Sequence, residues 1–192
     1  MKISALMAAF LLPTAAFAQQ TRDLGAHEHG HSALNIALDG TQIAMELEAP
    51  GADIVGFEYE AKTAEDRARL DAAIAELSKP LALFVLPDAA GCTVISSSAG
   101  LIGAHDAHDK EHAHGDHADE DHAEEEGTEH TEFHAEYLLN CTDRGAIDRI
   151  EFTFFDVFPN AREVEVQMIS DKGAQARDVG RDAPVLDLSG LI

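Results

Sequence analysis

The stretch SALNIALDGTQIAMELEA, residues 32–49, decides the fold class. Leu34, Ile36 and Leu38 alternate with small or polar residues, Asp39-Gly40 is a strong two-residue turn signal, and Ile43, Met45 and Leu47 alternate again. Apolar residues at a period of two, on both sides of such a turn, predict a β-hairpin with one buried face. Pro50-Gly51 stops the second strand.

Working outward, Thr63 with Asp66 three residues later forms a capping signal, and Leu70, Ala73, Ile74 and Leu77 follow at helical spacing. Pro80 ends that helix. The apolar run from Leu81 to Leu86 suits a short buried strand, and Val94 to Ser98 suits another. Further on, Phe133, Ala135, Tyr137, Leu139 and Cys141 alternate with His134, Glu136, Leu138 and Asn140, which predicts a strand with one apolar face. Ile150, Phe152 and Phe154 continue the pattern until Pro159-Asn160. Val164, Val166 and Met168 make another strand, Asp171-Lys172-Gly173 a hairpin turn, and Val185, Leu186 and Leu188 the last strand. The expected fold is α+β and β-rich, with two small pseudo-repeated lobes of antiparallel hairpins and a helix. A Pro-small-Ala step recurs in both halves, at Pro50-Gly51-Ala52 and Pro159-Asn160-Ala161. The expected divisions are a signal peptide over 1–18, an N-terminal lobe over 19–102, a flexible metal-binding loop over 103–129 and a C-terminal lobe over 130–192.

The opening residues predict export. Met1-Lys2 is a minimal positive start, Ile3 to Leu12 is apolar apart from Ser4, and Ala16-Phe17-Ala18 is the small-x-small pattern of a cleavage site. The apolar stretch falls short of the roughly 20 residues of a membrane span, so a periplasmic product beginning at Gln19, without membrane insertion, is expected. In an oxidising compartment the two cysteines, Cys92 and Cys141, are expected to pair. A net charge of −23 disfavours nucleic acid and anionic lipid as partners and favours cations.

Between residues 105 and 134 lie eight of the eleven histidines: His105, His108, His112, His114, His117, His122, His130 and His134. Asp and Glu fill most of the space between them, and large apolar residues are nearly absent. Imidazole and carboxylate together are ligands for borderline divalent metals. A segment this polar buries too little apolar surface to offset its ordering entropy, so disorder in the absence of metal is expected. Its irregular spacing favours many weak, exchanging sites over one rigid site. The plainer alternatives are a solvated acidic linker or an affinity tag, but a tag is normally a terminal run of consecutive histidines.

Two shorter constellations are better candidates for a defined site. His27-Glu28-His29-Gly30-His31 places three imidazoles two residues apart, and in an extended chain these share one side about 6.5 to 7 Å apart. In the second, His130, Glu132, His134 and Glu136 share the strand face opposite Phe133, Ala135 and Tyr137. Their carboxylates either bind metal or orient the rings. His134 is the strongest single ligand candidate.

With these residues in view, the chain resembles the ZrgA-type periplasmic zinc-binding proteins, a family long catalogued as a domain of unknown function. The resemblance spans nearly all of the chain after the signal sequence. It rests on His27-x-His29-Gly30 and the hairpin after it, Gly56-Phe57-Glu58, Leu83-Phe84 with Pro87 and Cys92, the central His/Asp/Glu loop, Phe133-His134-Ala135-Glu136-Tyr137 to Cys141, and Phe158-Pro159. It implies a two-lobed α+β protein that supports zinc uptake across the envelope. It also implies a His after Gly-Phe-Glu, where this chain has Tyr59.

Capture of Zn²⁺ and delivery to an uptake system, with a zinc ABC-transporter solute receptor as the candidate partner, is the leading expectation. Such receptors carry acidic His-rich loops themselves but are much longer than this chain. Nickel or copper buffering is the alternative, since Ni²⁺ and Cu²⁺ also bind imidazoles in vitro. The absence of a Met-rich motif disfavours a Cu(I) carrier. A metallohydrolase is disfavoured by the lack of a His-Glu-x-x-His helix or a serine nucleophile motif. The remaining class is a non-catalytic structural or adhesive envelope protein.

Overall fold

The computed structural model describes residues 30–102 and 131–190. Its larger sheet has six strands in the order β4-β5-β2-β1-β7-β8. These are β1 (His31–Asp39), β2 (Gln42–Pro50), β4 (Cys92–Ile102), β5 (Glu132–Cys141), β7 (Glu163–Ser170) and β8 (Gly173–Gly180). A three-stranded sheet holds β3 (Phe84–Val85), β6 (Arg149–Phe152) and β9 (Val185–Asp187) in the order β3-β6-β9. The helices are α1 (Gly51–Ile54), α2 (Ala64–Leu77), α3 (Pro80–Leu83) and α4 (Phe154–Val157). The protein is thus α+β and β-rich, as its alternation requires.

The two halves expected as lobes interleave. Strand β5, from after the His-rich segment, pairs on one side with β2 and on the other with β4, while β1 runs parallel to β7. One continuous core results, because neither half alone would pair both edges of its central strands. Leu34, Ile36, Met45, Leu47, Phe133, Tyr137, Leu139, Val164 and Val166 supply its sheet side, each at most 3% exposed. Against them pack Leu77 of α2 and a group of phenylalanines, with Phe84 edge-on to Phe152 at 5.3 Å and stacked on Phe154 at 5.9 Å.

Local details differ from expectation in four places. The β1–β2 register pairs Asp39 with Gln42, so Gly40 and Thr41 form the turn, with Gly40 at φ +57°. Helix α2 is capped as expected, Thr63 Oγ1 accepting the Asp66 N–H at 3.0 Å, but it ends at Leu77, and Pro80 instead begins α3. The strand expected over Leu81 to Leu86 shrinks to Phe84–Val85. Phe154 opens α4 rather than continuing β6: Phe154 and Phe155 are both buried, and consecutive residues of a strand face opposite ways.

Cys92 and Cys141 are cross-strand neighbours in β4 and β5 and form a disulfide. Among the described residues no helix is long and apolar enough to cross a membrane.

Candidate metal centre

On β2 and β5 the outward side chains follow from the same alternation that builds the core. In β5 the buried set is Phe133, Ala135, Tyr137, Leu139 and Cys141, so Glu132, His134 and Glu136 occupy the opposite face. In β2 the buried set is Ile43, Met45, Leu47 and Ala49, so Glu46 and Glu48 are outward too. The antiparallel register sets His134 directly opposite Glu48 and Glu136 directly opposite Glu46.

Glu46, Glu48 and His134 each present a donor atom, all within 4.8 Å of one another. A tetrahedral Zn²⁺ holds its N and O ligands at about 2.0–2.2 Å, so shifts of about an ångström would bring these donors around one ion. Glu46 and Glu136 are like charges facing each other across a ladder, which is destabilising until a cation sits beside them. The flanks of the His134–Glu48 pair are small: Gly100 opposes His134 on β4, with open space where a Cβ would lie, and Ala33 opposes Glu48 on β1.

His134 Nε2 lies 3.2 Å from Glu132 Oε2, with the two side chains 28% and 16% exposed. A carboxylate on one ring nitrogen fixes the tautomer and makes the other nitrogen a better metal donor. Glu132 is therefore placed to orient the ring. His31 stands on the same sheet face, two residues from Ala33 toward the strand start, which makes it a diagonal neighbour of Glu48. Its Nδ1 is 3.2 Å from Glu163 Oε1 of β7.

The strand directions gather more than these side chains. β1 and β5 start, and β2 and β4 end, at one edge of the sheet, since Ile102 pairs with Glu132 and Ala33 with Glu48. The His-bearing stretches 27–29 and 103–130 therefore join the sheet along this one edge. His27, His29, His105, His108, His112, His114, His117, His122 and His130 themselves lie outside the described residues.

Of the residues named from sequence, the structure brings His31, Glu132, His134 and Glu136 onto one face at one end. It adds Glu46 and Glu48, which the sequence reading did not name. Their outward orientation was implicit in the alternation of Met45 and Leu47, but their partner His134 lies far along the chain. Tyr59, at the position where the family resemblance implies a His, is 58% exposed and stacks on Phe57 at 4.6 Å between centroids.

Two carboxylates with an imidazole, all three partly buried, make a group that can hold a divalent ion with three protein donors. Structural zinc sites, by contrast, close all four positions with protein ligands. The family model described as ZrgA family zinc uptake protein matches residues 26–188, which take in both sheets and the edge just described. The chain belongs to the ZrgA family of zinc uptake proteins. No curated protein matches it.

Proposed function

We propose that this protein is exported to the periplasm, captures Zn²⁺ there and delivers it to an uptake system. The observation that carries this reading is the cross-strand Glu48–His134 pair, joined by Glu46, at the edge where both His-rich stretches meet the sheet. In this account the sheet edge holds the tighter site, with His134, Glu46 and Glu48 as ligands and His31 and Glu136 as neighbouring donors, and the histidines at 27, 29 and 130 contribute further ligands. The histidines at 105, 108, 112, 114, 117 and 122 gather and buffer zinc by weak, exchanging contacts. The disulfide, unusual in a reducing cytosol, supports the exported location.

A mixed nitrogen and oxygen donor set suits a borderline divalent ion and lacks the thiolate and thioether ligands that select Cu(I). The protein acts as a carrier rather than a catalyst, and a zinc ABC-transporter solute receptor is the proposed recipient. Growth in chelator-treated medium tests the reading. A strain lacking the protein should grow poorly, zinc rather than nickel or copper should restore it, and a His134→Ala copy should complement less well than wild type. Full complementation by a copy lacking both His134 and residues 103–129 would contradict the proposal.

A further inference from the structure

Asp53 is 1% exposed, yet it lies outside the Glu46–Glu48–His134 group. It sits in α1, the four-residue helical turn that follows β2 directly. Its Oδ1 accepts the backbone N–H of Gly30 at 2.6 Å and its Oδ2 accepts the Ser32 hydroxyl at 3.2 Å. These two residues flank His31. Ser32 points inward and is 2% exposed, so its neighbour His31 is turned out onto the face that carries Glu48 and His134.

Gly30 has φ +95°, a conformation that residues with a Cβ rarely adopt, and the Arg162 side chain lies 3.1 Å from where its Cβ would be. Its carbonyl accepts the N–H groups of Arg162 and Glu163 at 3.0 and 2.9 Å. The same helical turn grips β5 as well: Gly51 donates its N–H to the Thr131 carbonyl at 2.8 Å. A Cβ on Gly51 would come within 2.6 Å of Phe57 O and Thr131 Oγ1, so only glycine allows this approach. One short helix thus ties the start of β1 to the start of β5.

We infer that Asp53 is a positioning residue for the zinc site: by holding Gly30 and Ser32 from the core side, it sets His31 in register with Glu48 and His134. This rests on the site proposed above and adds His31 to it as a fixed participant. A buried carboxylate is costly unless hydrogen-bonded, and here one bond goes to each of the two residues that flank His31. Asn at this position keeps an acceptor for the Gly30 N–H, whereas Ala keeps none.

The test uses the mature full-length protein with its disulfide intact. The affinity for the first equivalent of Zn²⁺ is measured against a competing chelator, and the ring-nitrogen NMR signals of His31 and His134 are followed. In wild type both rings should shift with the first equivalent. Asp53→Ala should weaken that affinity at least tenfold and abolish the His31 shift while the His134 shift remains. Asp53→Asn should stay within about threefold of wild type with both shifts kept. A folded Asp53→Ala protein with wild-type affinity and both shifts would overturn the inference and leave the site intact. Wild-type protein in which neither ring responds would overturn the site and the inference together. Should Asp53→Ala fail to fold, Ser32→Ala, which removes only the Oδ2 bond, decides: a two- to fivefold loss with a diminished His31 shift supports the inference, and no change refutes it.

Discussion

Glu48 and His134 face each other across the β2–β5 ladder, on the side of the sheet away from the core. Because both strands alternate strictly, the pairing that buries Leu47 against Ala135 also places a carboxylate beside an imidazole one step along. Glu48→Gln should leave the fold intact and weaken the first zinc equivalent at least tenfold. Competitive chelator titration beside circular dichroism checks both halves of that statement.

Glu132 acts on the ring of His134 through the 3.2 Å contact. Removing a carboxylate that orients a ligating histidine typically costs about 10–100-fold in metal affinity. Glu132→Gln should fall in that range while retaining the number of bound ions. An unchanged affinity would mean that Glu132 does not orient the His134 ring for metal.

Zinc capture should weaken as the medium acidifies. Histidines titrate near pH 6.5 and only neutral imidazole binds metal, so zinc and protons compete for the same nitrogens. Isotherms at pH 7.5 and 5.5 should show a large loss of weak sites at the lower pH. Identical isotherms would exclude histidine-based capture.

Tyr137 buries its ring and donates its hydroxyl to the Leu77 carbonyl at 2.8 Å, tying β5 to the end of α2. Burial disfavours the phenolate and pushes the hydroxyl's pKa well above its ordinary value of 10.0. The neutral form is therefore the folded form. The contribution is complete below the unfolded value and is lost as pH climbs beyond it. Stability measured by urea should decline in strong alkali, and Tyr137→Phe should remove that part of the decline. At neutral pH the same change should cost about 1–3 kcal/mol, by leaving the Leu77 carbonyl unpaired.

The disulfide joins residues 49 apart. A covalent loop of that size restricts the unfolded chain by roughly 3 to 4 kcal/mol in the entropy model, and its removal should lower stability by about that amount. Cys92→Ser with Cys141→Ser, compared with wild type by denaturant unfolding, measures this. An equal stability would mean that the β4–β5 pairing holds the edge unaided.

How much of this was legible in the sequence depended on range. Strands β1, β2, β5 and β7 each announced themselves by alternation, and α2 by its Thr63 cap and apolar stripe. The edge strand β4 was only partly visible, since its run of serines and exposed residues has no buried face to enforce a period. β8, rich in small and polar residues, was visible only through the turn before it. What alternation cannot reveal is which strands pair. The β2–β5 and β1–β7 ladders join segments far apart in the chain, so the neighbours of His134 were hidden although each residue's outward face was readable. Asp53 was hidden for the same reason: nothing in Pro50-Gly51-Ala52-Asp53 says that it returns to Gly30.

The most direct test of the central claim is zinc titration of three mature proteins against a chelator of known affinity: wild type, a deletion of residues 103–129, and that deletion carrying His134→Ala. The account predicts that one tight site survives the deletion while weak sites vanish, and that His134→Ala then removes the tight site. Loss of all binding on deletion alone, or a tight site indifferent to His134, would contradict it.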